Sequence, residues 1–259
     1  ADSVIDAAGK LVTPGFIDAV GHLDDIFGDR PDTMQNKLSS VNDGVRQFSE
    51  TYLPYGVTTV RNSGDGTGYF ALADYLTQTS LSNAPDFYFS GGSIAGWYEG
   101  SPYINHLLVS DSSDAEYWVS EIHKTGSVNS IKIYCNGAMN YSIFNSALRK
   151  ATEYEMIVTS QVQNEITIDS ALSLGLRNFE HASTLCYQRN LFHFNDDVAF
   201  NDTIEKYWNF QDEGLRVYRF LEAANFVGAE HPAILATIYN LKRHDATMTT
   251  SLHFFAQWL

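Results

Sequence analysis

The residues able to do chemistry in this chain fall at the ends of short apolar runs. His22, with Asp24 and Asp25 beside it, follows Gly15–Ala19. Asp65 lies in Arg61-Asn62-Ser63-Gly64-Asp65-Gly66, just past Val57–Arg61. Lys132 sits inside Ser130-Ile131-Lys132-Ile133-Tyr134, Gln161 and Gln163 close the run from Met156, and Glu180-His181 ends the run from Arg177. Imidazole nitrogens and carboxylate oxygens are the ligands zinc favours, and zinc-bound water is a nucleophile at neutral pH. A lysine within an apolar strand needs a counter-charge, which Asp65, Glu99 or Glu180 can supply. Each residue also has a purely structural reading. His22 and His181 serve equally well as hydrogen-bonded core histidines, and Asp24, Asp25 and Asp65 as turn residues. A metal-free hydrolase built on those three aspartates is conceivable, but nothing in their spacing singles it out. His106, His123, His193, His231, His244 and His253 show no ligand spacing and read as solvent or loop positions.

Elements must hold these residues, and the hydrophobic pattern alternates between two periods. Strands are predicted at Gly15–Ala19, Val57–Arg61, Asp86–Ser90, Ser130–Tyr134, Met156–Ser160, Arg177–Glu180 and Ala246–Ser251. Helical spacing falls between them, at Val41–Tyr52, Gly68–Gln78, Ala115–Lys124, Ile143–Tyr154 and Thr167–Leu174. Thr203 to Arg243 reads as three helices, broken near Gly214 and at His231-Pro232. Gly56, Gly126 and Gly175 each follow a helical run, where a left-handed residue ends a helix. Repeated strand–helix alternation implies a parallel sheet with helical crossovers, hence a TIM-type (β/α)8 barrel or a doubly wound sheet. No Gly-x-Gly-x-x-Gly follows the first strand, which favours the barrel. In a barrel the C-terminal strand ends carry the chemistry, and the residues named above lie there.

Composition bounds the rest. The chain has 259 residues, 44% hydrophobic and 18% charged, enough to bury a large core and unlike a disordered chain. A net charge of −15 argues against nucleic acid as a partner, and no apolar run is long enough for a membrane span. Cys135 and Cys186 are too few for a disulfide scaffold and read as buried thiols. Ala1-Asp2-Ser3-Val4 has no signal-peptide pattern and no initiator Met, so a processed or longer product is expected, and the compartment stays open. The sequons at Asn140 and Asn201 occur at a chance frequency, and the 15 tyrosines and 16 phenylalanines read as core and loop packing.

Four stretches together resemble the amidohydrolase superfamily, in its imidazolonepropionase-, prolidase- and ochratoxinase-like branch. They are Val4 to Asp18, with Val12-Thr13-Pro14-Gly15-Phe16-Ile17-Asp18 at its end; Tyr55-Gly56-Val57-Thr58-Thr59-Val60-Arg61; Ser130-Ile131-Lys132-Ile133; and Ala171 to His181. The resemblance implies a (β/α) barrel over residues 14–259, with residues 1–13 as the edge of a small flanking β-domain. It also implies a binuclear metal centre: an Asp-x-His-x-His motif, a carboxylated lysine at Lys132, strand histidines, and an aspartate general base on the eighth strand. The chain departs from that pattern. Val20 stands at the first histidine position and Gln161 at the fifth-strand one, and the eighth strand falls beyond Leu259. His22, Lys132 and His181 remain as ligands, with Lys132 and, more weakly, Asp65 as catalytic candidates. The expected function is hydrolysis of amide or peptide-like C–N bonds with impaired metal binding, one zinc or none, and no full binuclear site. The alternative is a non-catalytic relative serving as a binding, structural or assembly protein. A small-molecule amide or peptide-like substrate is the expected ligand, and an oligomer or further segment is expected to complete the barrel.

Overall fold

The computed structural model describes residues 6–27, 41–65, 70–79, 81–99, 106–128, 130–163, 165–181, 184, 230 and 232–250. Among them the strands are β1 (Phe16–Gly21), β2 (Val57–Asn62), β3 (Asp86–Tyr88), β4 (Ser93–Gly96), β5 (Leu107–Val109), β6 (Ser130–Tyr134), β7 (Ile157–Gln161), β8 (Asn178–Glu180) and β9 (Thr247–Thr249). The helices are α1 (Leu23–Phe27), α2 (Val41–Tyr52), α3 (Phe70–Gln78), α4 (Ser112–Lys124), α5 (Tyr141–Glu153), α6 (Ile168–Ser173) and α7 (Pro232–Arg243). No helix among the described residues is long and apolar enough to cross a membrane.

Every strand pair is parallel, in two sheets ordered β1-β2-β3 and β5-β4-β6-β7-β8-β9. Among the described residues a parallel bridge, Asp65 to Gly92, joins them. With helices as crossovers, this is an arc of a TIM-type barrel, as the alternating pattern predicts. The third barrel strand is divided: β3 bonds to β2, and β4, beyond Gly91-Gly92, bonds to β6. The sequence reading placed a single strand at Asp86–Ser90 and did not find β4 or β5. All of Ser93-Ile94-Ala95-Gly96 is buried, so no alternation marks it as a strand.

Local chemistry accounts for the other boundaries. Asp111 caps α4, its carboxylate accepting from the N–H groups of Ser113 at 2.7 Å and Asp114 at 3.0 Å, so α4 starts three residues before its first core residue, Ala115. Asn140 caps α5 through Ile143 N–H at 3.0 Å, which gives this sequon asparagine a structural role. Gly56, Gly126 and Gly175 have φ of 76°, 72° and 103°, the left-handed turn predicted for them. Pro232 opens α7, where a missing N–H costs nothing. The helices expected between Thr203 and His231, with the break at Gly214, lie outside the described residues, as does Cys186.

The core lies between strands and helices. α2 buries Val45 and Phe48, and the Phe48 ring meets Phe87 of β3 edge to face, centroids 5.4 Å apart. α4 and α5 bury Val119, Ile122, Phe144 and Leu148 beside Ile131 and Ile133 of β6. Because side chains alternate along a strand, Lys132 points opposite to those two isoleucines, into the barrel interior. Cys135 is a buried thiol, as expected, and burial pushes it up to about 12.

Candidate functional site

The interior-facing Lys132 needs a counter-charge, and Glu180 at the end of β8 provides it. Lys132 Nζ lies 3.0 Å from Glu180 Oε2 and donates to Ser63 Oγ at 3.1 Å. Both members of the pair are almost fully buried. Glu180 also accepts from the Arg61 guanidinium through Oε1 and from the Ser63 hydroxyl through Oε2. Of the three counter-charges weighed for Lys132, Glu99 is exposed and Asp65 is engaged elsewhere. Burial alone would raise the Glu180 carboxyl; Lys132, Arg61 and Ser63 overcome it and hold the group down at about 2.

Asp65 organises the neighbouring loop. Its carboxylate accepts from Leu23 N–H at 3.2 and 3.1 Å and from the Asn62 amide, fixing the start of α1 against the end of β2. His22 lies beside it, with Nδ1 3.4 Å from Asp65 Oδ1 and 3.0 Å from the Gly64 carbonyl. A carbonyl only accepts, so Nδ1 carries a hydrogen, and it is the neutral ring with that hydrogen whose Nε2 metal-binding and base histidines use. Gly64, at φ 86°, allows this approach: a Cβ there would stand 3.2 Å from both Lys132 Cβ and Ser93 N.

His181 follows β8 directly, with φ of 63°, a conformation that strains a residue bearing a Cβ. Thr184 holds the turn, its N–H donating to His181 O at 2.9 Å and its hydroxyl to Glu180 O at 2.7 Å. Burial, then the Lys132 charge, lowers His181 to about 4 against the opposing pull of Glu180, so the ring is neutral at pH 7. His106 is also lowered to about 4, by burial first and then by Lys132 and His22, with Asp65 opposing. Of the two positions expected for it, solvent or loop, it takes the loop before β5, where its ring is half-buried, 5.6 Å from Tyr134 and within the electrostatic reach of Lys132. The apolar run Leu107-Leu108-Val109 directly after it was the available signal for a strand entry there.

His22, Asp65 and His181 thus stand just past the C-terminal ends of β1, β2 and β8, with the interior-facing Lys132 of mid-β6 within electrostatic reach of His181. Arg61, Asn62 and Ser63 join them; these lay at a predicted strand end but had been given no role. Val20 lies in β1 with its N–H turned to the Asp18 carboxylate at 3.1 Å, and Gln161 ends β7 with its carbonyl accepting from Cys135 N–H at 3.1 Å. His123 stacks on Tyr154, ring centroids 4.1 Å apart.

As placed, these donors do not fit a lysine-bridged metal pair. The amine that would carry the bridge is engaged by Glu180 and Ser63. Among the described residues no group of three His, Cys, Asp or Glu side chains is arranged to hold a metal ion.

No protein-family model matches the sequence, and no curated protein matches it. Solved structures do. An amidohydrolase is similar over 96% of this chain and 67% of its own, at 17% identity and TM-score 0.55. A prolidase complexed with N-methylphosphonate-L-proline matches over 95% of this chain and 66% of its own, at 16% identity and TM-score 0.53. The A. niger ochratoxinase matches over 92% of this chain and 62% of its own, at 14% identity and TM-score 0.53. The chain therefore spans about two thirds or less of the length of these structures and has their amidohydrolase-type barrel fold.

Proposed function

We propose that this chain belongs to the amidohydrolase superfamily and comes from a hydrolase of amide or peptide-like C–N bonds, with weak metal binding of one zinc at most. The observation that carries the reading is the convergence of His22 and His181, just past strand ends, on the interior-facing Lys132, with His22 Nδ1 donating to the Gly64 carbonyl. Imidazoles that are neutral at pH 7 can accept a proton from an attacking water, as hydrolysis of a C–N bond requires. Residues 1–13 are assigned to the edge of a flanking β-domain. The net charge of −15 supports a small ligand over nucleic acid.

The test combines elemental analysis of purified protein with chelator sensitivity of hydrolysis on simple amides and dipeptides, those ending in proline included. Chelator-sensitive turnover with up to one zinc per chain supports the proposal; absence of turnover on every substrate after zinc supplementation sinks it. The second reading is a non-catalytic binding or assembly protein. It is favoured by the tight Arg61–Glu180–Lys132 network, which engages the lysine without any ligand. Ligand binding without turnover is its signature.

A further inference from the structure

The centre of this site disagrees with the bridging lysine that its fold implies, and the disagreement has a definite chemical form. We infer that Lys132 is an unmodified ammonium, kept so by Glu180, and that the Arg61–Glu180–Lys132 triad with Ser63 holds the two sheets together at the position where a metal bridge would otherwise stand. This deepens the reading of the same site as the functional centre of the barrel.

Carboxylation of Lys132 converts an ammonium and carbon dioxide into a carbamate anion with loss of two protons: a C–N bond forms at Nζ and one charge changes sign. Nζ is 3.0 Å from Glu180 Oε2, and both side chains are almost fully excluded from solvent. The modification would therefore turn a buried attraction into two anions at contact distance. Arg61, already on the other oxygen of Glu180, would be the nearest described cation facing both.

Geometry gives the triad its second role. Arg61 is on β2 and Lys132 and Glu180 are on β6 and β8, so the two cations reach the same carboxylate from different sheets. Ser63, just past β2, bonds to both Lys132 and Glu180, and Arg61 Nε also donates to the Ala19 carbonyl of β1 at 2.9 Å. Beyond these contacts the backbone joins the sheets at the Asp65–Gly92 bridge. Glu180 is accordingly a positioning residue: it sets the state of Lys132 and the placement of β2.

Equilibrating the purified chain with 13C-labelled bicarbonate, with and without saturating zinc, tests the inference by 13C NMR. The expected result is no lysine carbamate in either sample, and appearance of the label on Lys132 in Glu180→Gln, where the opposing anion is gone. A stoichiometric carbamate on wild-type Lys132 overturns the inference. So does a folded Glu180→Gln variant that remains unlabelled, because Glu180 would then not be what protects the amine. If Glu180→Gln does not fold, the wild-type pair of samples decides alone, absence of label in both supporting the inference. The readout is independent of turnover: an unlabelled, inactive chain defeats the proposed hydrolase but not this inference, and a labelled, active chain does the reverse.

Discussion

The two sheets of this barrel are built to different standards. In the six-stranded sheet, β4 is buried throughout and β6 nearly so, with α4 and α5 packed outside. In the three-stranded sheet, β1 runs from exposed to buried, and Phe16 and Ile17 are 63% and 68% exposed. β4 and β6 have the double-sided burial usual for a parallel sheet; β1 and β2 are buried only toward their C-terminal ends, where the polar site lies. Asp65, Arg61, Ser63 and His22 come from the three-stranded side, Lys132, Glu180 and His181 from the other. The site therefore also lies at the joint, where its ionic contacts add to an apolar core that both sheets share.

Removing the shared anion is the strongest way to break this comparison. Glu180→Ala leaves two cations uncompensated and is expected to cost about 3–5 kcal/mol in urea unfolding. Hydrogen exchange should quicken first in β1 and β2 while β6 and β7 stay protected; uniform loss across both sheets would refute the joint.

Acid should act on the same seam. His106 and His181 stay neutral down to about 4 in the folded chain, whereas the unfolded chain takes up protons near the ordinary value of 6.5. Their contribution is present above pH 6.5 and is lost as pH falls toward 4. Glu180 adds a second loss between its ordinary 4.5 and about 2. The unfolding free energy from urea titrations taken from pH 7 downward should fall by an amount on the order of 6 kcal/mol by pH 4, and a flat profile over that range would contradict the placement of both rings beside Lys132.

A smaller effect separates strain from chemistry at His181. With φ at 63°, His181→Ala keeps the strained backbone while His181→Gly relieves it, so the glycine variant should be the more stable by about 1 kcal/mol. Thermal melts of the two variants read this directly. The smallest effect belongs to the well-packed side: Asp111→Ala or Asn140→Ala should each cost about 1 kcal/mol through a lost helix cap, with no change in β1–β3 exchange.

Much of the barrel was legible from local pattern. β2, β6 and β7 fall within a residue of their predicted ends, since β-branched runs bounded by turns have few other solutions. β4 was not legible, because a four-residue strand buried throughout carries no alternation, and β5 offered only the three-residue apolar run Leu107-Leu108-Val109. His106 was missed for a related reason, because its neighbours in space, Lys132, His22 and Asp65, are far from it along the chain.

From the sequence alone came the strand–helix order and the side of β6 on which Lys132 points. These follow from periodicity and residue type, which are local properties. Only the tertiary structure decided among Asp65, Glu99 and Glu180 as the partner of Lys132, brought Arg61 to the same carboxylate, and set the His22 tautomer. The reason is physical: counter-charges and hydrogen-bond partners act through space at about 3 Å, and residues 69 or 119 positions apart meet at that range only once the sheets have closed around them.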